Sequence, residues 1–303
     1  MNWVSSFVLP LALGVAAGSG LLATCPSAEA ATTVYELAQL THFHGLAVVP
    51  AETSRLYLAT HDGLFIVEPN GTAHPLSEMR DDLMGFTPHP SDPSILYASG
   101  HPAGGGNLGL VVSTDGGKSW TRLADGVEGP VDFHQMDVSP VDPKTIYGAY
   151  TGQVQVSRDG GGSWEVMGPA PDGLIDLAAS SKDPSTLYAA TQGGLLKSED
   201  GGRTWQDAYW LRQPATMVHV TPDGAVYAFV VGSGLIEAME PNLGWETASK
   251  AGFGGDYVLH FAADSTSRSK LYVISFDPQS HEQAVLASDD AGKTWTPLAR
   301  PTN

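Results

Sequence analysis

The sequence predicts an all-β chain, folded as a six-bladed β-propeller of four-stranded antiparallel blades. Three observations predict it. An eight-residue pattern, Ser-x-Asp-x-Gly-x-Ser/Thr-Trp, fits Ser113–Trp120, Ser157–Trp164, Ser198–Trp205 and Ser288–Trp295. A strand-like segment with tyrosine in a fixed place recurs six times, at Tyr57, Tyr97, Tyr147, Tyr188, Tyr227 and Tyr272. No long stretch beyond the N-terminus has helical period. A self-similar unit of about 40–50 residues marks a propeller or a solenoid.

Each unit reads in the same order. An inner strand leads into a proline-bearing turn, then the tyrosine strand, then a Gly-Leu strand that enters the eight-residue pattern. Asp-Gly-Gly in that pattern is hairpin chemistry, because aspartate caps backbone N–H groups and glycine accepts positive φ. The tryptophan that follows has a large face to bury between sheets. Two units carry decayed versions, Glu68-Pro69-Asn70-Gly71 in the first and Pro241–Trp245 in the fifth. Val34–Leu40 aligns with outer strands such as Trp120–Leu123 and is expected to close the ring against the last blade. A count of seven blades stays open if two units are merged near residues 250–290.

The pattern resembles the Asp-box, or BNR, repeat of sialidases and related glycosylhydrolase-like propellers, over about residues 42–303. The resemblance implies that each box joins the third and fourth strands of a blade, on the face opposite the binding site. Asp115, Asp159, Asp200 and Asp290 are then structural. Sialidase chemistry would further imply an arginine cluster, a tyrosine nucleophile and a Phe-Arg-Ile-Pro-like segment. The sequence has no such segment, and Arg122, Arg158 and Arg203 fall within or beside the boxes. Only Arg80 is well placed.

Composition narrows the partners. The 303 residues are 42% hydrophobic, enough for a substantial core, and no linker interrupts the period. Acidic residues outnumber basic ones by 33 to 15, for a net charge of −18. That argues against nucleic acid and against an anionic membrane surface. It also sets the chain apart from photosystem-assembly propellers, which share similar repeats and would be expected to present a basic patch. Residues 1–30 read as an export signal: Phe7–Ala23 is apolar, and Ala28-Glu29-Ala30 is a cleavage pattern. Leu22-Ala23-Thr24-Cys25 also resembles a lipoprotein signal, which would place a lipid on Cys25, the only cysteine. Residues 31–303 are then a single exported, monomeric propeller, touching a membrane only through such an anchor.

The repeat register locates a candidate site. Aligning Pro50, Pro88 and Pro140 places His44, Asp82 and His134 at one position of the first three inner strands. His42 and Asp132 lie two residues earlier, and His61 and His101 follow equivalent second strands. In an antiparallel blade, the start of the first strand and the turn after the second share a face. These side chains are therefore expected at one channel mouth, opposite the boxes. Blades four to six carry Ile175, Thr216 and Val258 near that position. Met84 and Met136 follow Asp82 and His134 by two, so alternation points each the same way as its partner. His219 and His260 are expected deeper in the channel; His74, His89 and His281 fall in turns. The glycine-rich loop Gly100–Asn107 allows backbone to approach a ligand at that mouth, or serves as a lid.

Three functions compete. A glycosidase would need paired carboxylates, with Asp81, Asp82 and Asp132 the candidates and Asp62 and Asp176 further ones. A metal-binding propeller would use His44, His101, His134 and Asp82, with His61 as another ligand-binding side chain; imidazole with carboxylate suits zinc or copper, and a nearby thioether favours copper. A protein-binding or assembly module remains the third, because a fold does not imply a reaction. The expected ligand is a small molecule, a glycan or a metal ion.

Overall fold

The computed structural model describes residues 32–50, 52–249 and 252–300. It is a ring of six antiparallel sheets, one for each repeat. The inner strands are Phe43–Val48, Asp82–Pro88, Gln135–Val138, Leu174–Ala179, Ala215–Val220 and Tyr257–Ala263. Each touches the next around the channel, and the last touches the first.

The second strands are the most buried, because each is covered on both faces by neighbouring blades. Leu56–Thr60, Leu187–Thr191 and Ala225–Val230 are buried at every residue. Outer strands such as Thr121–Ala124 are mostly exposed. The apolar core divides into six clusters, one at each seam between blades. Full burial of one such side chain stabilises the fold by about 1.5–3 kcal/mol, so the seams hold the ring together.

The four complete boxes share one hydrogen-bond pattern. In the first, Ser119 donates through its N–H and its hydroxyl to the two oxygens of Asp115, at 2.9 and 2.5 Å. The Ser113 hydroxyl donates to Asp115 and accepts from Gly117 N–H, both at 2.8 Å. Gly117 has φ +92°, and a Cβ there would lie 2.7 Å from Leu64 of the preceding blade. The turn therefore needs glycine for its conformation and for its closeness to the neighbour.

The ring closes differently from the sequence expectation. Val34–Leu40 is not an outer strand: Val34–Ala38 forms a short helix with a full capping box between Thr33 and Glu36. Val34 and Leu37, three residues apart, are both buried, which is helical period. Thr33-x-x-Glu36 was the signal for this start. Thr32–Thr33 adds a two-residue fifth strand to blade one. Val34 and Leu37 pack with Ile274 and Val285, so the segment does seal the seam with blade six. Gln283 completes the seam, accepting from Phe43 N–H at 2.8 Å and donating to Phe43 C=O at 3.3 Å.

Candidate functional site

Apart from Asp176 of blade four, every histidine and aspartate expected at the mouth is supplied by blades one to three. Blade one contributes His42, His44 and His61. Their placement follows from a β-bulge: Phe43 pairs with Thr60 but Gly45 pairs with Ala59, so His44 is the extra residue. A bulge re-aims its side chain. His61 N–H then reaches His42 C=O, 3.3 Å away. Bulges recur at Ile175 and Thr216 in blades four and five, where the side chain carries no imidazole.

Blade two breaks the proline-based equivalence. Its bulge falls later, at Gly85–Phe86, so Asp82 pairs directly with His101 and Met84 with Ser99. Asp82 therefore occupies the register of His42 and Asp132, one step nearer the rim than His44. This places Asp82 where it can reach across to blade one.

The residues form two triads rather than one set. In the first, His44 Nε2 and His61 Nε2 are 3.1 Å apart. His61 Nδ1 is 2.6 Å from Asp82 Oδ2, and His44 Nε2 is 3.8 Å from Asp82 Oδ1. In the second, Asp132 Oδ2 lies 2.8 Å from His101 Nε2 and 2.7 Å from His134 Nε2. Within each triad, all three potential ligand atoms lie inside 4.8 Å of one another. The earlier grouping of His44, His101, His134 and Asp82 thus spans both, with His61 and Asp132 completing them.

The proton arrangement is constrained. Asp82 only accepts when ionised, so His61 Nδ1 is the donor to it; with a neutral His61 ring, the Nε2 lone pair accepts from His44 Nε2–H at 3.1 Å. Burial, followed by the neighbouring His61, pushes His44 down to about 4, so its imidazole is neutral near pH 7. The two Nε2 atoms then converge at a separation close to the edge of a zinc tetrahedron, about 3.3 Å for Zn–N bonds of roughly 2.0–2.1 Å. Asp82 behind His61 is the carboxylate–histidine arrangement that orients a ligand. In the second triad His101 Nδ1 lies 2.9 Å from Gly106 C=O and must donate to it. His101 Nε2 therefore faces Asp132 with a lone pair, unless a second proton or a cation lies there. The hydrogen bond from His134 to Asp132 holds the His134 pKa above its ordinary value, against partial burial.

Both carboxylates keep one oxygen in reserve. Asp82 Oδ1 and Asp132 Oδ1 are buried and accept no hydrogen bond, and the Asp132 side chain is only 8% exposed. Buried polar atoms are ordinarily satisfied. Asp81 stands apart from both triads and accepts from Ala103 N–H at 3.1 Å, tying down the glycine-rich loop. Arg80 donates to the carbonyls of Ser77 and Met79.

Beneath the mouth the channel holds about 270 Å³ and is bordered by His44, His134, Asp137, Asp176, His219 and His260. Burial pushes His219 and His260 down to about 4, keeping both neutral. Met136 borders the channel but also packs with Tyr97 and Ile146 between blades two and three. His74 lies in the outer strand of blade one, not in a turn. Asp176 is no rim carboxylate: its oxygens accept from Leu177 N–H and, across to blade five, Val218 N–H, both at 2.9 Å. Asp137 was not singled out in the sequence. It bridges blade three to Ala179 N–H of blade four and to the Thr87 hydroxyl of blade two, at 2.8 and 3.2 Å. The alternation Gln135-x-Asp137 along an inner strand was the signal that could have found it.

Residues 111–122, the first box with its flanks, match the BNR/Asp-box repeat family. The chain is a six-bladed β-propeller that carries Asp-box repeats. Among curated proteins, none matches this propeller significantly. Its fold is similar to the Niastella koreensis GH74 enzyme, with a TM-score of 0.62 at 16% identity, over 85% of this chain and 45% of that one. It is also similar to the GH74 xyloglucanase from Xanthomonas campestris, at 0.58 and 18%, over 85% and 45%. YCF48 bound to D1 peptide aligns at 0.53 and 15%, over 85% and 81%. The propeller thus spans less than half the length of the GH74 enzymes it matches. At these identities the likeness concerns the fold.

Proposed function

We propose that this propeller is an exported metal-binding protein that holds a transition ion, zinc or copper, at the mouth over blades one to three. The observation that carries this reading is the pair of His₂Asp triads. Each brings three ligand atoms together, and each contains a buried carboxylate oxygen that accepts no hydrogen bond. Neutral imidazole with carboxylate is the ordinary donor set for these ions.

A glycosidase is the second reading, favoured by the fold shared with GH74 enzymes. It is the weaker one for Asp82 and Asp132, because both carboxylates are engaged with imidazoles rather than standing free to flank a glycosidic bond. Asp81 is likewise committed to the glycine-rich loop. The export signal and the alternative lipid at Cys25 fall in residues 1–30, outside the described residues; the intact mass of the mature chain distinguishes them.

The test is elemental analysis of purified untagged protein after equilibration with Zn²⁺ or Cu²⁺ and removal of free ions. Bound metal that is lost in a variant combining His44→Ala, His61→Ala, His101→Ala and His134→Ala, with the melting profile retained, supports the reading. No retained metal, together with turnover of a glycoside that Asp82→Asn or Asp132→Asn abolishes, favours the glycosidase.

A further inference from the structure

The geometry points to a binuclear centre: the two triads, joined through one blade, hold two ions that a single small oxyanion drawn from the channel can span. This rests on the metal-binding reading above and adds number, spacing and ligand class to it.

Three observations carry it. The first is constitution. Two separate triads have the same donor set, two imidazoles and one carboxylate, and no residue is common to both. Three donors leave a fourth tetrahedral position open on each ion, the arrangement of a reactive rather than a purely structural site.

The second is adjacency. Asp82 of the first triad and His101 of the second are directly opposed across neighbouring strands of blade two. Opposed residues point to the same face, with Cβ atoms about 4.5–5.5 Å apart. One blade therefore fixes the separation of the two sites, with Asp82 on one side and His101 on the other.

The third is access. His44 and His134, one from each triad, both border the channel, so a molecule there can reach both open positions. Two divalent ions against the two carboxylates leave a local charge of about +2 in a chain of net charge −18. Unloaded, the mouth repels anions; loaded, it is a positive site in an otherwise acidic molecule. The ligand class that suits it is a small oxyanion, with one oxygen on each ion.

The experiment uses Cu²⁺ on the full mature protein, with inorganic phosphate as the probe. Elemental analysis counts the ions, and electron paramagnetic resonance reads their coupling. The expected result is two ions per chain, a dipole-broadened spectrum with a half-field transition, and a change in that spectrum when phosphate is added. A variant combining His101→Ala and His134→Ala should fall to one ion, lose the half-field line and show an ordinary isolated Cu²⁺ spectrum. His44→Ala with His61→Ala should do the same from the other side, and either variant still melting as a folded protein excludes collapse of the mouth. Two ions with an uncoupled spectrum, or a single ion in the wild type, would overturn the binuclear pairing while leaving metal binding intact. A coupled pair indifferent to phosphate would overturn the bridging oxyanion. No bound metal would overturn both this inference and the reading beneath it.

Discussion

At the scale of single residues, the second triad depends on a glycine outside it. Phe133 lies between Asp132 and His134, and its ring fills the space above Gly148, where a Cβ would come within 2.6 Å of the ring. The ring cannot easily move away. It packs on Trp164 with centroids 4.8 Å apart, and Phe133 N–H is held by the Ser99 hydroxyl at 3.0 Å. Gly148→Ala should therefore destabilise the protein by about 1–3 kcal/mol, the usual range for overpacking. It should also shift the residues on either side of Phe133. Metal titration of this variant should show weakened binding at the second triad and unchanged binding at the first. Equal weakening at both would mean that the two triads are not positioned independently of each other. Gly148 sits in a tyrosine strand that was legible as a strand, but nothing in its letters showed which ring would rest on it.

At the scale of the element, the Asp-box turn explains why the fold could be read so fully and the site only in part. A turn whose Ser and Asp side-chain hydrogen bonds all fall within eight residues leaves a local signature, and four copies gave the blade period. The triads are contacts between blades, set by where each inner strand bulges. His44 and His134 keep equivalent places, but the late bulge at Gly85–Phe86 moves Asp82, and equal proline spacing conceals this. The short helix Val34–Ala38 was hidden for the opposite reason: five residues are too few for a period, leaving only its capping box to reveal it. The boxes also differ among themselves. Three use Asp-Gly-Gly, but the fourth has Ala291 at φ +62°. A left-handed conformation costs an L-residue roughly 1–2 kcal/mol, partly offset by the extra chain entropy of glycine. Ala291 is exposed, so no buried methyl is lost on replacement. Ala291→Gly should stabilise the protein by about 0.5–1 kcal/mol, a rise in Tm of roughly 1–3 °C by thermal melting. A lower Tm would show that the fourth turn relies on its methyl group.

At the scale of the whole molecule, two sets of carboxylates act on stability with opposite sign. Hydrogen bonds from Ser or Thr hydroxyls and backbone N–H groups pull Asp115, Asp159, Asp200 and Asp290 down to about 2. Their contribution is fully present above the unfolded value, near 3.8, and is lost as pH falls toward 2. In the channel, burial pushes Asp137 up to about 6 and Asp176 up to about 7, against the pull of their backbone donors. Groups raised in this way contribute stability that is present below 3.8 and is lost as pH rises through 6 and 7. Tm measured from pH 2 to 9 should therefore peak at mildly acidic pH and decline on both sides. Asp137→Asn combined with Asp176→Asn should flatten the decline between about pH 4 and 7, whatever its effect on absolute stability. An unchanged slope would mean that these two acids titrate alike in the folded and unfolded chain.

The seam between blades one and six has a mechanical consequence. Among the described residues, no strand from one end of the chain is woven into the sheet at the other. Val34, Leu37 and Gln283 join the ends through side chains alone. The propeller is thus a row of six complete sheets bent round and fastened, more like a clasped bracelet than a cast hoop. Tension applied across the two ends should release the clasp before any sheet unravels. The metal-ligand candidates run from His44 to His134 on the first three consecutive links, so opening would free His44 from blade six, whose Gln283 holds the adjacent Phe43, while those three links stay joined in order.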